Sequence, residues 1–241
     1  MKIFAHRGSS LMWPENTLLA FNLAHKAGAT GFETDLRLSK DHQIFLSHDD
    51  TLVRFGYPDK VINELTSEEL CNIEISSLDG RYSDKLITLK TLLKAYPNKD
   101  YIFDCKISDE SLFKNLKNLL SELRFHNRIW FLTWSQKADN HVQKFFPGYN
   151  LFPRATRTRM WGWSSIARLG YIFEPKNQIL SLPAYHFKLP VFSKRQIASI
   201  HRREKTFVGY LINTENDFKK CKACGVQIVL TDRPDLLIVL C

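Results

Sequence analysis

The chain has 241 residues, of which 44% are hydrophobic, enough for one globular domain with a full core. Lysine and arginine number 34 against 25 aspartates and glutamates, which gives a net charge of +9 and favours an anionic partner. No concentrated run of basic residues is present, so we expect no nucleic-acid partner.

The cysteines also limit the class of protein. The five cysteines are Cys71, Cys105, Cys221, Cys224 and Cys241. Their odd number and irregular spacing argue against a disulfide scaffold and favour a reducing compartment. Cys221 and Cys224 form a CxxC at the end of a predicted helix, where thiolates are not stabilised, so we interpret both as structural. The N-terminal residues are predicted to form a strand and do not resemble a signal peptide, and no apolar run is long enough to span a membrane. We therefore expect a cytoplasmic protein.

Strand and helix patterns alternate along the chain, which is typical of a parallel sheet wrapped by helices. The first strand ends at His6, and a helix follows over residues 17–27, with Asn16 as its predicted N-cap. Strands are predicted at 32–38 and 43–47. Only four residues separate them, so a reversal near Asp41 should bring His48 back opposite Asp35.

Residues 49–88 contain no strong barrel strand and carry turn patterns, which predicts a long irregular connection. Later strands and helices resume the alternation. Strands are predicted at 101–106, 128–133, 150–152, 179–182, 207–212 and 227–231. Helices are predicted at 112–123, 135–145, 193–203 and 215–223, and a short helix after Pro234.

Two carboxylates share one face of the second strand. Glu33 and Asp35 are two residues apart, so their side chains point the same way. Buried carboxylates need a cation or a partner, and hard oxygen ligands suit Mg²⁺ or Ca²⁺. A salt bridge, for example to Arg37 on the same face, is the structural alternative.

Two histidines are the best candidates for acid and base. His6 and His48 each end a strand beside a charged motif, and the active sites of barrel enzymes lie at the carboxyl ends of strands. Histidine titrates near neutrality, so one ring can donate a proton while the other accepts one. Among the remaining histidines, which we expect to be structural, His186 is the one placed close after a strand.

Four motifs in the first fifty residues appear in a characteristic order: His6-Arg7-Gly8, Pro14-Glu15-Asn16-Thr17, Glu33-Thr34-Asp35 and His48-Asp49. Asp104-Cys105-Lys106 and Thr231-Asp232-Arg233-Pro234 follow later in the chain. With these motifs in this order, the chain resembles the glycerophosphodiester phosphodiesterase family over nearly its whole length. The resemblance implies a distorted TIM (β/α)₈ barrel, one domain over residues 1–241, and a small insertion, about 49–88, over the barrel mouth. It also implies metal-dependent hydrolysis of glycerophosphodiesters to glycerol 3-phosphate and an alcohol.

The family pattern also implies roles for single residues. Glu33 and Asp35 would bind the metal with Asp104, which stands where the family usually has a longer Glu. Lys106 and Arg7 would hold the phosphate. Three further residues have both structural and functional interpretations. Glu15 would orient Arg7 or bind glycerol hydroxyls, Tyr210 would wall the pocket or lie in the core, and Asp232 would fix the final loop.

Two other functions stay open from the sequence. A lysophospholipase D-type hydrolase would use the same centre on lysolipids, and a catalytically impaired phosphoglycerol-binding protein would account for Asp104. Residues 140–173 contain no acidic residue and interleave arginines with Trp161 and Trp163. This pattern suits a membrane interface, but we favour an ordinary helix packed on the barrel. The sequence leaves the oligomeric state open.

Overall fold

The computed structural model of the chain describes residues 1–169 and 172–239, in which strands and helices alternate. The strands are β1 (Lys2–His6), β2 (Gly31–Leu38), β3 (Ile44–Leu46), β4 (Glu74–Ser76), β5 (Ser83–Lys85), β6 (Asp100–Cys105), β7 (Ile129–Thr133), β8 (Asn150–Leu151), β9 (Ile179–Leu182), β10 (Tyr185–His186), β11 (Leu189–Pro190), β12 (Thr206–Gly209) and β13 (Ile228–Thr231). The helices are α1 (Leu18–Lys26), α2 (Ser67–Cys71), α3 (Leu89–Ala95), α4 (Glu110–Glu122), α5 (Gln136–Phe145), α6 (Ala155–Ile166), α7 (Lys194–Arg202), α8 (Glu215–Cys224) and α9 (Pro234–Val239).

Within the described residues, eight parallel strands form one nearly closed barrel, which confirms the predicted (β/α)₈ fold. Their order around the barrel is β8-β7-β6-β2-β1-β13-β12-β9. In this part of the chain β8 and β9 end the order without pairing with each other. β3 pairs antiparallel with β2, with Leu36 opposite Leu46, so the predicted reversal between them is present.

Strand β2 alternates between the barrel interior and the layer of helices. Phe32 packs outward, in the core shared with α1, α3 and α4. Gly31 lies on the other side, where the Phe4 ring fills the place of a side chain, because an added Cβ would lie 2.4 Å from that ring. Glu33 and Asp35 follow Gly31 on the same side. The interior face of β2 is therefore apolar at its amino end and acidic toward its carboxyl end.

Apolar side chains from most of the barrel strands fill the lower interior. This cluster contains Phe4, Ile102, Trp130, Phe152, Ile179, Val208, Ile228 and Leu230. Strand β6 repeats the pattern of β2, because Ile102 belongs to the apolar cluster and Asp104 lies two residues further along. The carboxyl end of the barrel, where the carboxylates lie, is thus built on a packed apolar floor.

Two predicted boundaries are wrong, and one hairpin was not predicted. Thr17, not Asn16, caps α1, since the Thr17 hydroxyl accepts a hydrogen bond from the Ala20 N–H. Strand β12 ends at Gly209 and not at residue 212. The hairpin of β10 and β11 was not predicted, because each strand has only two residues.

Residues 49–88 hold two short 3₁₀ helices, α2 and the β4–β5 hairpin, with a core of their own. That core contains Phe45, Leu52, Ile62, Leu70, Ile73, Ile75 and Leu86. The segment contacts the loop after β1, where the rings of Trp13 and Tyr82 lie 4.1 Å apart. Asp84 also accepts a hydrogen bond from the Leu19 N–H at the start of α1. We refer to residues 49–88 as the insertion.

The CxxC lies in the last turn of α8, as the sequence predicts, and Gly225 ends the helix with a φ of 77°. Cys221 and Cys224 are buried free thiols, and burial raises the pKa of Cys221 to about 12. Both fit a structural role. Cys241 lies outside the described residues. No helix in the two described stretches is both long and apolar enough to cross a bilayer.

Candidate active site

Three carboxylates meet at the carboxyl ends of two neighbouring strands. Glu33 and Asp35 lie on β2, and the ladder places Asp35 directly beside Asp104 of β6. One oxygen from each residue lies within 4.8 Å of the other two, and the three residues are at most 3% exposed. We call these three residues the carboxylate cluster. It combines the two predicted ligands on β2 with the predicted third ligand on β6.

The charges of the cluster are only partly balanced. Burial, together with the charges of Asp35 and Asp104, raises the pKa of Glu33 to about 8. Burial raises the pKa of Asp104 as well, although Lys106 opposes this shift. For Asp35 burial acts in the same direction, but Arg7 and Lys106 outweigh it and lower the pKa. Three buried carboxylates thus have two permanently charged cationic neighbours, Arg7 and Lys106, and one histidine, His6, whose charge opposes the shift of Glu33.

Lys106 lies between two of the carboxylates. Its Nζ is 2.5 Å from Asp104 Oδ2 and 3.0 Å from Asp35 Oδ1. Lys106 therefore forms an ion pair with Asp104 in the structure. Asp35 Oδ1 is nevertheless a buried atom without a properly oriented hydrogen bond. The cluster thus offers several carboxylate oxygens, an excess of negative charge and one buried oxygen without a hydrogen bond. These properties fit a site for a divalent cation.

Arg7 connects the cluster to the second motif. Its Nε lies 3.0 Å from Asp35 Oδ2, and its Nη1 lies 3.2 Å from Glu15 Oε1. Asn16 has a φ of 58°, which turns its side chain into the site. Its amide donates to Asp35 Oδ2 and its oxygen accepts from Thr34. Asn16 therefore supports the cluster and does not cap the helix.

His6 is held by a residue from the other end of the chain. Its Nδ1 lies 2.6 Å from Asp232 Oδ1, so Nε2 faces the cluster, 3.7 Å from Glu33 Oε2. Ser10 and Asn213 donate hydrogen bonds to the same Asp232 carboxylate. Burial would lower the pKa of His6, but Glu33 and Asp232 outweigh it, and the pKa is raised. Asp232 thus orients a histidine besides fixing the final loop.

His48 has a more open environment. Its side chain is 38% exposed, against 17% for His6, and its Nδ1 lies 2.7 Å from Asp49 Oδ1. The register differs by one residue from the predicted one, because Ser47, not His48, pairs with Asp35. Arg37 donates to the His48 carbonyl oxygen and forms no ion pair with the carboxylate cluster among the described residues, so the structure does not support the alternative of a salt bridge to Arg37.

Two neighbours of the site were missed in the sequence. Trp134 follows β7 and donates its indole N–H to Asp104 Oδ1 at 2.7 Å. Its ring also lies 5.0 Å from Lys106 Nζ. Arg54, in the insertion, binds both Glu15 and Asp49. The sequence places Trp134 at the end of a predicted strand, so it could have been recognised as a candidate. Nothing in the sequence distinguishes Arg54 from other surface arginines.

Two further candidates lie apart from the cluster. Tyr210 directly follows β12, is 37% exposed, and donates its backbone N–H to the Leu182 carbonyl. It is at the same end of the barrel as the cluster. His186 lies in the β10–β11 hairpin, where its ring packs 4.8 Å from that of Trp163. Among the described residues, His186 contacts aromatic rings and has no carboxylate partner.

Comparison with known proteins identifies the family of the chain. The glycerophosphoryl diester phosphodiesterase family model matches residues 6–236. YhdW of Bacillus subtilis is 28% identical over 99% of this chain and 97% of its own. A glycerophosphodiester phosphodiesterase of Caldanaerobacter subterraneus is 24% identical over 98% of this chain and 96% of its own.

A solved structure shows the same fold. An Oleispira antarctica phosphodiesterase, in complex with the product sn-glycerol-3-phosphate, has a TM-score of 0.75 and is 20% identical. The match covers 100% of this chain and 97% of that one. With the family model matching nearly all of the sequence, the chain belongs to the glycerophosphoryl diester phosphodiesterase family and is a phosphodiesterase.

Proposed function

We propose that the chain hydrolyses glycerophosphodiesters to glycerol 3-phosphate and an alcohol, with a divalent cation held by Glu33, Asp35 and Asp104. The observation that carries this proposal is the carboxylate cluster, whose oxygens lie within 4.8 Å of one another in a buried site. Like charges so close together are costly unless a cation offsets them. Their all-oxygen character favours Mg²⁺ or Ca²⁺. Such a cation supplies charge neutralisation at the phosphate.

Arg7 and Lys106 are proposed to hold the phosphate. Both already contact Asp35, so both stand at the edge of the cluster. Lys106 is free to turn to a phosphate oxygen once its carboxylate partners are neutralised in another way. Arg7 offers a planar guanidinium, and its contact with Glu15 fixes the direction of that plane.

The two histidines are proposed to move the protons. One ring takes the proton of the nucleophile as the new P–O bond forms, and the other gives a proton to the leaving alcohol oxygen as the old bond breaks. His6 presents Nε2 to the cluster, because Asp232 holds Nδ1. His48 is held in the same way by Asp49. The nucleophile is water, or the neighbouring glycerol hydroxyl through a cyclic phosphate.

The glycerol is proposed to lie near Glu15 and Tyr210. Glu15 is only 12% exposed in its side chain and already binds Arg7 and Arg54, which favours an orienting role over a free hydroxyl-binding one. Tyr210 offers an exposed ring at the barrel mouth. Such a ring can pack on the apolar edge of the glycerol.

A turnover assay with glycerophosphocholine, with and without EDTA, tests the proposal. We expect the activity to disappear in EDTA and to return with Mg²⁺ or Ca²⁺, since the cluster lacks charge balance without a cation. Elemental analysis of the protein before and after chelation is the second measurement. Full activity in the chelator, with no bound metal, would contradict the metal proposal, and binding of the substrate without turnover would favour the phosphoglycerol-binding alternative.

A further inference from the structure

An exposed aromatic side chain stands at the tip of the β10–β11 hairpin. The two turn residues, Phe187 and Lys188, have φ values of 48° and 64°. Tight hairpin turns of this kind normally use Asn or Gly, because bulky residues are strained at positive φ. Phe187 is nevertheless there and is 81% exposed, more than any other large hydrophobic side chain in the described chain. The strain and the exposure together indicate a functional use of the tip.

Helix α6 extends this apolar surface. Met160 is 58% exposed and Trp163 is 55% exposed, three residues apart on one face of the helix. The Trp163 ring centroid lies 6.5 Å from that of Phe187. Trp161, on another face, is fully buried and fixes the helix to the barrel. We name Met160, Trp163, Phe187 and Leu189 the apolar tip.

The surroundings of the apolar tip are basic. Between residues 140 and 203 the sequence has one acidic residue, Glu174, and that carboxylate binds Arg203 and Lys205. A groove of about 940 Å³ begins at Leu189 and Pro190 and continues between α6 and α7. Its lining includes Arg168, Arg195, Arg202 and Arg203, with Glu174 beside Arg203 at the far end of the groove. A partner that covers the tip would therefore meet an almost uncompensated positive surface.

The apolar tip belongs to the same end of the barrel as the active site. The hairpin begins three residues after β9 ends at Leu182, and Leu182 pairs with the backbone of Tyr210. Carboxyl ends of parallel strands share one end of a barrel. A flat surface that covers the tip would thus approach the mouth side of the molecule.

We propose that the apolar tip inserts into the interface of a phospholipid bilayer that contains anionic lipids. Exposed Trp and Phe prefer the headgroup boundary, and nearby Lys and Arg are attracted to anionic lipids. The end of the groove that adjoins the apolar tip, at Arg195, takes the headgroup phosphates. The sequence favoured an ordinary helix over a membrane interface. In the structure, α6 carries both a buried tryptophan, Trp161, which packs on the barrel, and an exposed one, Trp163.

Vesicle co-sedimentation tests this proposal. The probes are phosphatidylcholine vesicles with and without phosphatidylglycerol. We expect the protein to bind the anionic vesicles, and the binding to weaken as salt is raised. The double variant Phe187→Ser, Trp163→Ala should lower the partition coefficient by about tenfold or more, because it removes two large apolar side chains from the interface. Arg195→Ala, in the groove, should weaken binding to anionic vesicles by a smaller factor, about threefold.

Phe173→Ser is the matched control. Phe173 is 49% exposed, but it precedes Glu174, which binds Lys205 at the start of β12, so it lies at the opposite end of the barrel. It should bind vesicles like the natural sequence. All variants should hydrolyse water-soluble glycerophosphocholine normally, which shows that they fold. Binding to neutral and anionic vesicles alike, no vesicle binding at all, or an equal loss in Phe173→Ser would overturn the proposal.

Discussion

The active site has two halves that differ in their support. His6 and the carboxylate cluster lie on β1, β2 and β6, buried against the packed interior of the barrel. His48 and Glu15 lie on loops. Arg54 of the insertion pairs with Glu15 and with Asp49, which holds His48, through ion pairs whose side chains are up to about a third exposed. We call the first the strand-borne half and the second the loop-borne half.

The difference in support predicts a difference in behaviour. Ladder hydrogen bonds and close packing fix the strand-borne half before substrate arrives. Partly exposed ion pairs contribute at most about 1 kcal/mol each, so the loop-borne half can rearrange at little cost. We therefore expect the charges in the barrel to be preorganised and the loops to adjust when substrate binds.

The largest effects should come from the two histidines. His6→Ala and His48→Ala should each lower turnover on the order of 10²–10⁴-fold, the usual contribution of a positioned acid or base. Only His6→Ala should also lower the free energy of unfolding, by about 1 kcal/mol, because it removes the His6 hydrogen bond to the part-buried Asp232 carboxylate, which keeps only Ser10 and Asn213 as side-chain donors. Steady-state kinetics and urea unfolding measure both quantities, with the exposed His126→Ala as control. Equal stability losses in both variants would remove the distinction between the halves.

Asp104 tests the strand-borne half at the position where the family usually has Glu. Asp104→Asn should lower activity by at least about 10²-fold, since cation stabilisation of the transition state is worth several kcal/mol. Asp104→Glu should keep substantial activity, because it keeps the charge and restores the usual length. Titration calorimetry with Mg²⁺ and Ca²⁺ is the direct measurement. If Asp104→Asn bound metal unchanged, Asp104 would be only the ion-pair partner of Lys106.

Asp232→Asn should act through His6. We expect a turnover loss of about 10–100-fold, as for other groups that orient a functional histidine. The carboxylate helps to raise the pKa of His6, so its loss should move one limb of the pH–rate profile to lower pH. The acidic limb moves if His6 is the base, and the alkaline limb moves if it is the acid. Asp235→Asn, which touches only Arg233 among the ion pairs described, should leave both limbs in place.

The smallest effect should come from the loop-borne half. Arg54→Ala breaks two partly exposed ion pairs, so kcat/KM should fall less than about fivefold, mainly through KM. Arg81→Ala, which removes another exposed ion pair of the insertion with Asp79, is the control and should change neither constant. A large fall in kcat for Arg54→Ala would show that the two halves are equally preorganised.

Most of the fold followed from local patterns. Alternation along β2 predicted that Glu33 and Asp35 share a face, and that face points into the barrel. The meeting with Asp104 depended on the register between β2 and β6, which the family resemblance supplied and the residues alone did not. Thr17 and Asn16 are both good N-caps, and only the positive φ of Asn16 decided between them.

Contacts between distant parts of the chain could not be read in advance. His6 and Asp232 are 226 positions apart, and their pairing follows from β1 lying next to β13. Arg54 reaches Glu15 only because the insertion folds on its own core and docks on the loop after β1. Such contacts depend on the tertiary arrangement, and an arginine in a polar segment gives no indication of its partner.

The open seam between β8 and β9 has a consequence for how the molecule unfolds locally. Strand β8 is only Asn150–Leu151, and within the described chain it pairs on one side alone, with β7. The strands beside the seam should therefore open at a lower free energy than β2, which has β1 and β6 as parallel neighbours. Amide hydrogen exchange should spread outward from this seam, so that the carboxylate cluster sits in the last part of the barrel to open.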